Sequence, residues 1–362
     1  MTPTRPRRRL VGRLVACTVI ALASASLAEA QQPLSLHAQA TFYGDNTEFS
    51  NPFRGGETLL GAYSRLFLTA RMGERVEISA GVFANQRFSG DASYEIVRPV
   101  LSLAVGRRSN RFVFGTLRTA DRTWIGPDRG TLHGLVPALQ VETLRFTRSQ
   151  EAGLQWIVDT PRLEQDAWIN WQKLNTPAHR ELFDAGFVSR FHVKGPFSGG
   201  VQMHLVHHGG QLFANGAVSD SLAYGPGIIA SGPLGRIGRV TGELYGFLSH
   251  YTPDRQQRNR IFGQAFFARA AAERGPWRGH IIVFRGFDFL KEEGDPNYLS
   301  IRSNGVRFKR VRDYAEIGGT RTFRPADGVD LEAAVRFHRT EDHYEYSYRI
   351  LANVRLEFVL LR

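Results

Sequence analysis

Along most of the chain, apolar and polar side chains alternate with period two over runs of about ten residues, and turn-forming residues break the runs. From 35 to 43, Leu36, Ala38, Ala40 and Phe42 share one face, with His37, Gln39, Thr41 and Tyr43 on the other. Segments 57–71 and 75–88 pair across Met72-Gly73, and the second sets Val76, Ile78, Ala80, Val82 and Ala84 against Glu77, Ser79, Gly81, Phe83 and Asn85. The same pattern predicts strands over 93–106, 111–118, 150–158, 165–174, 183–193 and 198–209, and weaker ones over 222–231 and 313–324. The connections sort into two classes. Short ones carry glycine or proline, as in Lys194-Gly195-Pro196-Phe197, Gly232-Pro233-Leu234-Gly235, Gly275-Pro276-Trp277 and Pro325-Ala326-Asp327-Gly328; longer polar ones lie at 44–56, 210–221, 252–259 and 290–310. About seven short and about eight long connections alternate, which predicts about sixteen strands, within a range of about fourteen to eighteen.

No stretch after the N-terminal region is long and apolar enough to cross a bilayer as a helix. Strands that cross lipid must close on themselves, because lipid cannot satisfy backbone amides. The fold class expected is therefore all-β, a transmembrane antiparallel β-barrel in which only every second residue meets lipid. A soluble β-sandwich or solenoid also alternates, but its turns would not sort into a short and a long set, and no repeat of fixed period is present.

The N-terminus sets the compartment. Arg5, Arg7, Arg8, Arg9 and Arg13 form a basic head, 14–27 is apolar and small, and Ala28-Glu29-Ala30 offers small residues for cleavage before Gln31. Residues 1–30 are thus expected to be a secretory signal and 31–362 the barrel. A lipoprotein box at Leu14-Val15-Ala16-Cys17 competes with this, but most of the apolar run follows the cysteine. Cys17 is the only cysteine, so a mature chain would have no disulfide and no thiolate metal site. The full chain carries +12; the signal holds five arginines and one glutamate, leaving +8. Arginines are spread among apolar residues rather than gathered on one face, which argues against nucleic-acid partners.

From Tyr344, the even positions Tyr344, Tyr346, Tyr348, Ile350, Ala352, Val354, Leu356 and Phe358 oppose Arg349, Asn353, Arg355 and Glu357. This resembles the C-terminal strand of Gram-negative outer-membrane proteins, which ends in an aromatic residue, although here Val359-Leu360-Leu361-Arg362 follow Phe358. The resemblance extends to porins as an architecture. It implies an outer-membrane location, with chaperones and barrel-assembly machinery as partners in biogenesis and membrane lipid and lipopolysaccharide as surroundings.

Residues 119–149 depart from the alternation. They hold Asp121, Arg122, Asp128, Arg129, His133, Glu142, Arg145 and Arg148 among the anchors Trp124, Leu132, Leu135, Val136 and Leu139. Such a connection is expected to fold into the lumen and narrow it; the plain alternative is a surface loop with a short helix over 133–139. Strand parity places Arg65, Glu77, Arg190, His192, Glu243, Glu332, Arg336, His338, Arg355 and Glu357 inside the barrel. The candidates for lining or constricting a pore are Arg65, Arg118, Asp121, Arg122, Asp128, Arg129, His133, Arg190, Glu243, Arg336 and Arg355. His204, His207 and His208 cannot converge from one strand, and no carboxylate lies near them in sequence, so neither metal nor cofactor is expected. No G-x-S-x-G elbow occurs, and Ser249-His250 would point to opposite faces, so the sequence reading assigns no catalytic residue and no enzymatic activity. The expected function is a channel for small hydrophilic solutes, with anions favoured. The alternatives are an exporter of polysaccharide or small molecules, a receptor-type barrel, or a lipid-modifying enzyme of the outer membrane.

Overall fold

The computed structural model describes residues 33–88, 95–119, 130–257, 259–302, 304–306 and 311–361. The segment expected to be a signal, 1–30, lies outside them, as do Asp121, Arg122, Trp124, Asp128 and Arg129.

Sixteen strands form one closed antiparallel barrel in which each strand pairs with its sequence neighbours and β1 closes on β16. They are β1 Leu34–Glu48, β2 Glu57–Met72, β3 Val76–Arg87, β4 Ile96–Arg107, β5 Asn110–Thr116, β6 Ala152–Asp159, β7 Leu163–Lys173 and β8 Leu182–Lys194. The second half runs β9 Phe197–His208, β10 Ser219–Leu234, β11 Gly238–Asp254, β12 Asn259–Arg274, β13 Trp277–Phe287, β14 Val311–Ala326, β15 Val329–Thr340 and β16 His343–Leu361. Seven short connections lie on one rim, and the opposite rim carries the longer ones together with the two-residue turn 341–342 between β15 and β16. On the short-turn rim, Gly73, Gly195, Gly235, Gly275 and Gly328 have positive φ, which the tight turns require and glycine adopts without steric cost.

The alternation of sequence becomes an inside and an outside. Phe112, Phe114, Ile228, Phe262, Ile281, Phe337 and Ile350 are exposed on the outer wall, whereas Val113, Tyr245, Phe267, Phe284 and Leu351 are buried on the inner one. A continuous exposed apolar band is a liability in water and the expected surface in lipid. Trp277 and the outward Tyr344, Tyr346 and Tyr348 lie toward opposite ends of that band, where amphipathic rings suit the lipid interfaces.

The lumen is filled at the level of two inward loops. The loop 117–151 between β5 and β6 buries Leu132, Leu135, Val136, Ala138, Leu139 and Phe146. The loop 288–310 between β13 and β14 buries Phe289, Leu290, Tyr298 and Leu299. These side chains join Trp168, Tyr245, Phe247, Phe267, Phe284 and Tyr314 of the wall in one apolar core. The inward fold expected of 119–149 is therefore observed over 130–149. The short helix considered over 133–139 is absent; the one α-helical turn among the described residues of this loop, α1, is Leu144–Thr147. Val136-Pro137 opens a turn instead, with the Leu139 amide bonded to the Val136 carbonyl at 2.9 Å.

Candidate active site in the filled lumen

Inward loops bring backbone amides and charged side chains into a space with little water, so each needs a partner. The two loops partly supply each other: the Val141 amide donates to the Glu293 carbonyl at 2.6 Å, and the Asp295 amide to the Pro137 carbonyl at 2.9 Å. The wall supplies the rest. Gln202 Oε1 accepts from the Val136 amide at 2.9 Å, and Asn85 Nδ2 donates to the Phe146 carbonyl at 2.7 Å.

His133 is fully buried between two carboxylates, with Nδ1 2.6 Å from Asp166 Oδ2 and Nε2 2.7 Å from Glu151 Oε2. Its ring lies flat on Trp168 with centroids 3.7 Å apart. Burial pulls its pKa down, but Asp166 and Glu151 outweigh that and hold it up at about 9, so it is an imidazolium. Both nitrogens then donate, and the ring has no lone pair left for base catalysis; His133 is an anchor for the loop. Glu142 anchors the other end of the same loop. Its Oε2 accepts from Arg336 Nη1 at 2.7 Å and Arg349 Nη2 at 2.9 Å. Burial would raise its pKa, yet the two guanidiniums bring it down to about 2.

A different arrangement faces a cavity of about 30 Å3 lined by Phe49, Arg54, Glu142, Tyr314, His338, Ser347 and their neighbours. Its position follows from the β15–β16 hairpin: His338 pairs with Glu345 across the sheet, and Ser347 lies two residues on along the same inner face. Ser347 Oγ is 2.8 Å from His338 Nε2, and His338 Nδ1 is 2.7 Å from Tyr314 Oη. Tyr314 Oη is in turn 2.6 Å from Glu316 Oε2. A carboxylate can only accept, so with a neutral His338 ring the directions of all three bonds follow. Tyr314 donates to Glu316, His338 Nδ1–H donates to Tyr314, and His338 Nε2 is left to accept from the Ser347 hydroxyl. Glu316 Oε2 also lies 3.4 Å from His338 Nδ1, and its Oε1 is 2.6 Å from His280 Nε2. This is a hydroxyl, a base with its lone pair aimed at that hydroxyl, and an orienting acid, as nucleophilic hydrolysis requires. Arg54, Arg336 and Arg349 line the same cavity, each paired with carboxylates of the lining: Arg54 with Asp295, Arg336 with Glu142 and Glu316, and Arg349 with Asp45 and Glu142.

A loop closes this cavity on the long-loop side. Residues 49–56 join β1 to β2; Phe49 meets His338 edge-on at 4.9 Å, and Arg54 Nη1 pairs with Asp295 at 2.5 Å. Glu345 holds the loop in place, accepting from the Ser50 amide at 2.6 Å, the Asn51 amide at 2.8 Å and Asn51 Nδ2 at 2.5 Å.

A second serine and histidine, Ser198 Oγ and His192 Nδ1, are 3.2 Å apart, with His192 Nε2 3.6 Å from Glu164. They lie beside the β8–β9 turn on the short-turn rim, with looser contacts and an exposed ring. Ser249 and His250 do point to opposite faces, Ser249 buried inside and His250 against Tyr224 and Phe262.

The pore-lining candidates divide by height. Arg65 and Arg118 border a cavity of about 740 Å3 on the short-turn side, together with Arg71, Arg75, Arg108 and Arg111. Arg65 donates to the Ser149 carbonyl, and Arg118 pairs with Glu77. Arg190 sits 4.0 Å from Glu164 and Glu243 3.8 Å from Arg269. Arg336 joins Glu142 and Glu316, while Arg355 stands at the short-turn end of β16. His133 belongs to the loop anchor described above. Asp121, Arg122, Asp128 and Arg129 lie outside the described residues. The three histidines of β9 do diverge: His204 faces inward, His207 pairs with Asp220 at 2.7 Å, and His208 pairs with Glu292. Sequence distance misled in one respect, because Asp184 and Glu293 approach His204 from β8 and from the inward loop.

A closed barrel of sixteen strands with an apolar outer wall and a loop-filled interior has the fold of outer-membrane β-barrel proteins. In fold it is similar to OmpT, an outer-membrane protein of Vibrio cholerae, in a form lacking loop L8 (TM-score 0.57, 9% identity, 90% of this chain and 100% of that one). In-vitro folded OmpT gives a TM-score of 0.53 at 7% identity over 91% of this chain and 99% of that one. OccK2 (OpdF) of Pseudomonas aeruginosa, solved in complex with glucuronate, gives 0.51 at 10% identity over 90% and 98%. At these identities the likeness is one of fold alone. No curated protein matches the chain in sequence. The chain belongs to the lipid A 3'-O-deacylase-type family, whose profile matches residues 26–362.

Family membership corrects the sequence-based expectation that the protein is not an enzyme. That expectation rested on a missing linear motif and on the opposed directions of Ser249 and His250. Neither argument reaches a serine and a histidine brought together across a hairpin.

Proposed function

We propose that the protein is an outer-membrane ester hydrolase that removes an acyl chain from a lipid A-type glycolipid, with Ser347 as nucleophile and His338 as general base. The observation that carries this reading is the 2.8 Å contact between Ser347 Oγ and a His338 Nε2 whose lone pair is fixed by Tyr314 and Glu316. Ser347 Oγ would attack the ester carbonyl as its proton passes to His338 Nε2. The same proton then goes to the departing sugar oxygen, and water, deprotonated by His338, releases the fatty acid from Ser347. Glu316 acts through the ring and is a positioning residue. The guanidiniums of Arg54, Arg336 and Arg349, held in place by carboxylates of the lining, are the donors available to the oxyanion that forms during attack.

A cavity of about 30 Å3 has room for about two waters and none for an acyl ester. Entry therefore requires the 49–56 loop to lift, and this loop lies on the long-loop rim, which in outer-membrane barrels faces the outer leaflet and its lipopolysaccharide. Purified protein mixed with lipid A in detergent should release fatty acid, detected by mass spectrometry. Ser347→Ala and His338→Ala should each lower the rate by at least about 1,000-fold while the barrel still migrates as a folded species on unheated gels. Unchanged rates in both variants would remove Ser347 and His338 from the chemistry.

Passage of small hydrophilic solutes is the second reading, supported by the arginine-lined cavity of about 740 Å3 on the short-turn side. Planar-bilayer recording tests it: stable, anion-selective conductance supports a channel, and its absence leaves the cavity as a vestibule.

A further inference from the structure

From the charged groups behind the inward loops, we infer that Asp184, His204 and Glu293 form a binding site for one divalent transition-metal ion of the zinc type, separate from the Ser347 centre. His204 is fully buried, and its Nδ1 lies 3.0 Å from the Leu139 carbonyl, which can only accept. The proton of a neutral ring is thereby placed on Nδ1, and Nε2 presents its lone pair to the interior. Nε2 makes no hydrogen bond; the atoms in front of it are Asp184 Oδ2 at 3.6 Å and Glu293 Oε2 at 3.8 Å. Three acceptors thus converge, with ligand atoms all within 4.8 Å of one another. The separations are too long for hydrogen bonds from a protonated ring. They are close to what a common cation imposes: ligands about 2.0–2.2 Å from a tetrahedral zinc ion stand about 3.3–3.6 Å apart. A backbone carbonyl holding the far nitrogen of the ring is also how metal-binding histidines are oriented.

The two carboxylates are held from behind, with Arg148 and Lys291 beside them as resident cations. Asp184 Oδ1 is held by Asn170 Nδ2 at 2.7 Å and Gln172 Nε2 at 2.9 Å, and Oδ2 receives Trp168 Nε1 at 3.1 Å. Glu293 is gripped by Arg148 at 2.5 and 2.9 Å, which leaves the second lone pair of Oε2 for a metal. Arg148 also stands 3.7 Å from Glu151, so three carboxylates surround one guanidinium. The Lys291 ammonium lies beside His204 and donates to the Glu292 carbonyl at 2.5 Å. Of the three ligands, the imidazole nitrogen is the one that favours zinc and related first-row metals over calcium or magnesium. An ion there would join β8, β9 and both inward loops at one point, since Leu139 and Glu293 belong to different loops.

The full-length folded protein, stripped with EDTA and titrated with Co2+, tests this. One equivalent of cobalt should bind, with visible d–d absorption typical of a low-coordinate N/O site, and Zn2+ should displace it. His204→Ala and the milder Glu293→Gln should each weaken cobalt binding by at least about 100-fold. His207→Ala, on the same strand but facing outward, should bind as wild type does. Wild-type protein that takes up no cobalt at micromolar concentration, or a Glu293→Gln variant that binds it unchanged, overturns the site.

Discussion

His133 and Glu142 show how single residues hold a charged loop inside a barrel. His133 has a folded pKa of about 9 against about 6.5 when unfolded. A raised value contributes stability that is complete below the unfolded pKa and is lost as pH rises through the folded one. Loop seating through His133 should thus be intact at pH 6 and be lost progressively between about pH 6.5 and about pH 9. Glu142 is depressed, to about 2, so its contribution is complete above the ordinary carboxylate range and is lost as pH falls through that value. Nitrogen chemical shifts of labelled His133 check the first statement: titration near 9 is expected, and titration near 6.5 contradicts it. Sequence gave no means of separating these anchors from Ser347 and His338. Parity put His338 in the lumen, but a base is recognised by which nitrogen is free, and that depends on Tyr314 and Glu316 from a neighbouring strand.

At the level of elements, strands were the legible part, because the period-two pattern and the glycine turns act locally; even the weakly patterned segments 222–231 and 313–324 are strands. Loops were legible only as insertions. The inward fold of 130–149 depends on Asn85, Gln202 and Glu293, which are remote in sequence. The short 49–56 connection carried no signal beyond its polarity, yet Glu345 makes it a cover over the serine. Glu345→Ala should release it at a cost of about 2–3 kcal/mol, since hydrogen bonds from the Ser50 amide, the buried Asn51 amide and the Asn51 side chain are lost together. Amide hydrogen exchange should rise by about 30-fold or more at 50–54 and stay unchanged in β5 and β6. Protection that persists at 50–54 would show that Arg54 and the phenylalanines hold the loop without Glu345.

For the whole molecule, closure of sixteen strands with an apolar outer wall suits the protein to a bilayer but leaves its chemistry open, since channels and hydrolases share such walls. What separates them is how the interior is filled. Here the loops replace a through-passage at one level with an apolar core and a buried ionic network, and the serine relay lies at the edge of that plug beneath a short cover. The most direct measurement is mass spectrometry of lipid A incubated with the purified, refolded protein and with its Ser347→Ala variant. The account predicts a product lighter by one ester-linked acyl chain with the native protein and intact lipid with the variant. Intact lipid in both reactions, or equal deacylation in both, would contradict it.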